Sequence, residues 1–188
     1  MDRDAALALL REYTQNENLI KHMLAVEAAM RAYARKYGAD EDLWGITGLL
    51  HDFDYERWPS LEEHTVRGAE ILKSHGYPEE MIYAIRAHNN VVGPPRKSLL
   101  DKTLFAVDEL TGLITAVALV RPSKSLMEVQ AKSVRKKMKD KAFARGVNRE
   151  DIIRGAEELG VDLNEHIDFV IKAMQGIAEE LGLAGTKA

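Results

Sequence analysis

The chain has 188 residues, 46% of them hydrophobic, a formal net charge of −4 and no cysteine. That length and apolar share suit one well-formed core and are short for two domains, and the small negative charge does not suit a dedicated nucleic-acid binder. Without cysteine there is no disulfide and no thiolate site, so any metal must be held by nitrogen and oxygen.

The amino-terminal stretch MDRDAALALLREYTQ is acidic and soon charged again, unlike a secretory signal, which points to the cytoplasm. In LIKHMLAVEAAMRAYARKYG, His22 shares a helical face with Leu19, Val26, Ala29 and Tyr33 and should point inward, and Gly38 ends the helix. In EDLWGITGLLHDFDYERWP, Leu43, Ile46 and Leu50 with the small residues Gly45 and Gly48 predict a short helix packed closely on a neighbour, with His51 and Asp52 near its end. Consecutive helical residues diverge by about 100°, so adjacent side chains can converge on one point only at the edge of a buried face or where the helix stops.

Ser60-Leu61-Glu62-Glu63 reads as a capping box that places His64 in the first turns of the next helix, with Leu61, Gly68, Ile71 and Leu72 on its inner side. Tyr77-Pro78-Glu79-Glu80 starts another, whose stripe of Met81, Ala84 and Ile85 leads to His88. Ser98-Leu99-Leu100-Asp101 caps the strongly apolar helix that carries Asp108. The apolar run 104–120 includes Asp108 and Glu109 and is too short to span a bilayer, so it reads as a central buried helix.

Further on, Ser125 caps a helix to about Lys139, Asn148 begins one that ends near Gly160, and Asp162 begins the last. Strand signals reduce to Val91-Val92, followed by Gly93-Pro94-Pro95. The expectation is an all-α single domain over 1–188, with no heptad or outer apolar patch to specify an oligomer.

His22, His51, Asp52, His64, His88 and Asp108 thus form an ordered series on apolar helical faces, where each needs a partner. Imidazole with carboxylate suits divalent first-row metals. His75, in Ser74-His75-Gly76, reads as a helix end, and His166 as an ordinary helical residue; both stay outside the series.

The series, together with EEHTVRGAEIL and AIRAHNN, resembles the HD superfamily in its six-ligand version, over roughly residues 18–120. The helices of 125–184 would pack on that core. Many relatives continue the doublet with Ile-Gly-Lys, whereas here it continues Phe53-Asp54-Tyr55. The resemblance implies a helical bundle holding two divalent ions, of Mn, Fe, Mg, Co or Zn, bridged by Asp52. His22, His51, Asp52 and Asp108 would hold one, and Asp52, His64 and His88 the other.

It also implies hydrolysis of a phosphate ester of a small metabolite, such as a nucleotide, by a metal-activated water that Asp52 orients. Arg121 and Lys124, close in sequence to the Asp108 helix, would help orient phosphate, and Asn89 would either bond substrate or cap its helix. Two other classes share these ligands: a di-iron oxygenase of HD type, and a non-catalytic nucleotide sensor. The basic run from Lys132 to Lys141 reads as a solvated helix face.

Overall fold

The computed structural model describes residues 1–186. Among them are nine α-helices and no strand: α1 Arg3–Tyr13, α2 Glu17–Tyr37, α3 Glu41–Leu50, α4 Val66–Ser74, α5 Glu79–Ala87, α6 Leu99–Leu119, α7 Ala131–Met138, α8 Arg149–Leu159 and α9 Leu163–Gln175, with one 3-10 turn at Leu126–Glu128. The chain is all-α, and none of these helices is long and apolar enough to cross a membrane. It divides into two compact units, Met1–Phe105 and the residues from Ala106 onward, with α6 running through the boundary.

In the first unit, α2 and α3 form the closest-packed pair, and α1 and α5 also contact α3. Asp2, Asn16 and Asp40 each accept backbone N–H bonds at the starts of α1, α2 and α3. Gly38 ends α2 at φ 64, a left-handed conformation that suits a residue without Cβ. Close approach explains Gly48: a Cβ there would lie 3.0 Å from the backbone N of Glu27 and the backbone C of Val26. Every residue from Leu43 to Leu50 is buried. The carboxylate of Glu27, buried beside this interface, accepts bonds from Arg3 Nε at 2.7 Å and Arg31 Nε at 3.1 Å, so its charge is compensated.

Two of the expected elements differ from the sequence expectation. His64 precedes α4 instead of lying in it: residues 60–65 form a turn, and α4 starts at Val66 after Thr65 at φ 69. The backbone N–H groups of Thr65 and Gly68 are bonded by the carboxylate of Asp54, so a remote side chain caps this helix and Ser60 does not. The helix expected from Ser125 to about Lys139 is broken. A 3-10 turn puts Leu126 and Val129 on one buried side, the chain is extended through Val129 and Gln130, and α7 then starts afresh at Ala131.

The second unit takes its core from Ile152 and Ala156 of α8 and from Ile167, Val170, Ile171 and Met174 of α9. Both α7 and the 3-10 turn contact α9. α7 buries only Val134.

Candidate metal centre

The first unit holds five of the six expected ligands, and Asp52 is their meeting point. His22 comes from the inner face of α2, and His51 caps the carboxyl end of α3, where the helix stops and the next residue can turn toward the same point. His64 lies in the turn before α4, and His88 caps the end of α5. Asp52 Oδ2 lies 3.2 Å from His51 Nε2 and 3.8 Å from His22 Nε2. Its Oδ1 lies 2.9 Å from His64 Nε2 and 3.0 Å from His88 Nε2. One carboxylate therefore shows a different oxygen to each pair of imidazoles. The sixth expected residue, Asp108, is half-buried on α6 in the second unit.

The far side of each ring is fixed as well. His51 Nδ1 faces the carbonyl of Gly48 at 2.7 Å, His88 Nδ1 faces that of Ile85, and His64 Nδ1 faces Asp54 Oδ1 at 2.7 Å. Carbonyl and carboxylate oxygens only accept, so each Nδ1 carries a proton, and a ring in its neutral form would present its Nε2 lone pair to Asp52. Three lone pairs facing a carboxylate repel unless positive charge lies between them. Protons on the rings or divalent cations can supply it, and the all-nitrogen-and-oxygen donor set suits the latter. The residues fit divalent metal held around Asp52.

The electrostatics agree. Burial is the largest influence on Asp52 and pushes its pKa up, but the charge of His51 and bonds from His51, His64 and His88 outweigh it and hold the carboxyl well below the usual range. Burial also pulls His64 down, yet bonds to Asp52 and Asp54 overcome this and raise it to about 9.

Asp54 is the residue the sequence reading passed over. It is 1% exposed, and one oxygen orients His64 while the other accepts the N–H groups of Thr65 at 2.7 Å and Gly68 at 2.9 Å. A Cβ on Gly68 would lie 2.8 Å from that second oxygen, so glycine is what admits the carboxylate. Thr65 carries the strain: a β-branched residue at positive φ, with its hydroxyl buried and without a partner. The departure from Ile-Gly-Lys after the doublet was the available signal, since it puts an acid two residues beyond Asp52.

Asn89 serves the same segment. Its amide donates to the carbonyls of Leu61 and His64, at 2.9 and 3.0 Å, and its oxygen accepts from Val91 and Val92. In the second unit, Arg121 donates to Ser133 Oγ at 2.9 Å while its Nε is buried without a partner, and Lys124 is exposed on a turn at φ 51. His75 bonds the carbonyl of Ile71 at the end of α4, and the buried His166 bonds that of Ala106. Neither belongs to a ligand cluster among the described residues.

The HD domain family model matches residues 19–113, just over half of the chain. The chain belongs to the HD domain family. Ribonuclease Y of Desulfotalea psychrophila is 35% identical over 97 residues, which cover 51% of this chain and 18% of that protein. Ribonuclease Y of Nitratidesulfovibrio vulgaris is 29% identical over 157 residues, 81% of this chain and 28% of that protein. Uncharacterized protein MJ0778 of Methanocaldococcus jannaschii is 34% identical over 93 residues, 47% of this chain and 54% of that protein. The chain thus spans about a fifth to about half of the length of these relatives. No solved structure matches it. Membership of the HD family, with relatives named ribonuclease Y, supports a metal-dependent phosphohydrolase family and specifies no substrate.

Proposed function

We propose that this HD-domain chain hydrolyses a phosphate ester of a small phosphorylated metabolite, with a nucleotide as the leading candidate. The observation that carries the reading is the two-sided carboxylate of Asp52, with His22 and His51 on one oxygen and His64 and His88 on the other. In this reading Asp108 completes the His22, His51 and Asp52 set, while His64 and His88 complete the other. Divalent ions held there supply a water nucleophile of lowered pKa and neutralise charge on a phosphoryl group. The chain's own residues position these groups: Asp54 and Asn89 fix the His64 segment, and the ends of α3 and α5 fix His51 and His88. Arg121 and Lys124 are the candidate cations for orienting phosphate. The name ribonuclease Y, borne by relatives that share only part of their length with this chain, adds an RNA phosphodiester to the substrates worth presenting.

The test pairs elemental analysis of the protein as purified with a screen of phosphorylated metabolites and short RNA in Mn²⁺, Mg²⁺, Co²⁺ and Fe²⁺. Phosphate or nucleotide release that depends on added metal, and is lost in Asp52→Ala, is the expected result. Iron with a visible absorption band and oxygen uptake, without phosphate release, would replace this reading by the di-iron oxygenase. Binding of a nucleotide with no turnover in any metal would replace it by the sensor.

A further inference from the structure

A charge of −4 for the whole chain conceals a strong segregation. Residues 121–149 carry ten Lys and Arg against two acids, Glu128 and Asp140, so the rest of the chain is markedly acidic. Part of this basic segment lines a shallow, open groove of about 630 Å³ between α7 and α9, formed by Ala131, Lys132, Arg135, Lys136, Lys139 and Asn164. The groove lies wholly in the second unit. Its four cations stand at helical spacings of three and four along a single face of α7, so they form a row of about 10 Å at 1.5 Å per residue.

The groove is also selective in what it lacks. Among the described residues, no carboxylate and no aromatic ring lines it. Arg135 is tied to the opposite wall through Asn164 Oδ1 at 3.0 Å, and Asp168, one turn further along α9, is neutralised by Lys172 at 2.9 Å. No side chain caps the first turn of α7, which leaves its positive end open beside Ala131 and Lys132. An enclosed pocket with a ring to stack on would suit a single nucleotide. An open row of cations without such a ring suits a run of phosphates read by charge alone.

We propose that the α7–α9 groove binds the phosphate backbone of a single nucleic-acid strand, independently of base sequence and separately from the metal centre. About three to four phosphates match the four cations, at about 3.4 Å of strand axis per phosphate along a row of about 10 Å.

Fluorescence polarisation of a labelled oligouridylate of about twelve nucleotides, with the full chain and a salt titration, tests this. At about −0.7 in log-log slope per phosphate, three to four contacts give a slope of about −2 to −3 and weaken binding about 20- to 50-fold between about 50 and about 200 mM salt. Gel analysis after the measurement verifies that the strand is intact. The triple variant Lys132→Gln/Lys136→Gln/Lys139→Gln should flatten the slope by about 2 and lower affinity at about 50 mM salt by about tenfold or more, whereas the matching Arg variant should keep both. If the triple Gln variant loses its helical circular dichroism, Lys136→Gln alone should still flatten the slope by about 0.7. The proposal is overturned if wild-type protein does not hold the strand at the lowest salt, or if affinity and slope are unchanged in the Gln variants. It is equally overturned if inorganic tripolyphosphate or anionic phospholipid vesicles bind the groove and the strand does not.

Discussion

Helices α3 and α7 place polar chemistry in opposite ways. α3 is buried from Leu43 to Leu50 and ends in His51 and Asp52, whereas α7 buries only Val134 and carries its cations on an outer face. At the end of α3 every ionisable group has a designated partner: His51 with Asp52, Asp52 with four imidazoles, and Asp54 with His64. Along α7 the cations act mainly through their summed field, with Arg135 held by Asn164 and Lys137 over the ring of Phe143. A buried polar group stripped of its partner bears the full cost of desolvation, while an exposed one loses little. Single substitutions near α3 should therefore be severe, and those on α7 should each have a small effect that adds up along the row.

The largest effect should come from Asp52→Ala, because both candidate ligand sets share this residue and water would not hold both in its place. Elemental analysis should find no bound metal and assays no turnover; full activity would remove the mechanism. Asp54→Ala comes next. It leaves the N–H groups of Thr65 and Gly68 and one side of His64 without an acceptor, for a loss of about 3 kcal/mol in chemical denaturation and about 10- to 100-fold in metal affinity. If stability falls while metal affinity does not, Asp54 supports the fold and leaves the centre alone.

Proton competition should be visible at the same residue. His64 is raised from 6.5 to about 9 in the metal-free protein. Its protonated form stabilises the folded chain fully below about 6.5, and that contribution is lost as pH rises through about 9. A metal must displace this proton, so affinity measured by calorimetry should climb by up to about tenfold per pH unit across that interval. A flat profile would mean that His64 is not a ligand.

Gly48→Ala should cost about 1–3 kcal/mol, since the new methyl group meets the backbone of α2 at 3.0 Å and cannot be relieved by moving a side-chain tip. At the small end, His75→Ala should change the denaturation midpoint by less than about 0.5 kcal/mol in equivalent stability and leave metal content untouched. Its ring is exposed and bonds only the end of its own helix and the neighbouring Ser74.

The sequence was most legible where one strong local rule acted. Gly38 ended α2, Ser98 with Asp101 capped α6, and Asn148 and Asp162 opened α8 and α9, because each of these caps is complete within a few residues. The candidate series was readable because imidazoles recurred on apolar faces, a pattern that needs a partner whatever the fold. Reading failed at Ser60, where a locally sound capping box lost to a carboxylate from a distant turn, and at Val129, where burial pulled the chain out of a helix. The amino-terminal helix α1 was not expected at all, and the basic run on α7 gave no hint of the groove it helps to form.

By itself, then, the sequence determined the all-helical class, most helix ends and the ordered series of His and Asp candidates, since these follow from periodicity, caps and the cost of burying polar groups. Only the tertiary structure decided that Asp52 turns one oxygen to each pair of histidines, that Asp54 holds His64 from behind, and that Gly68 leaves room for it. Those facts depend on distances between residues far apart in the chain, which local patterns do not encode.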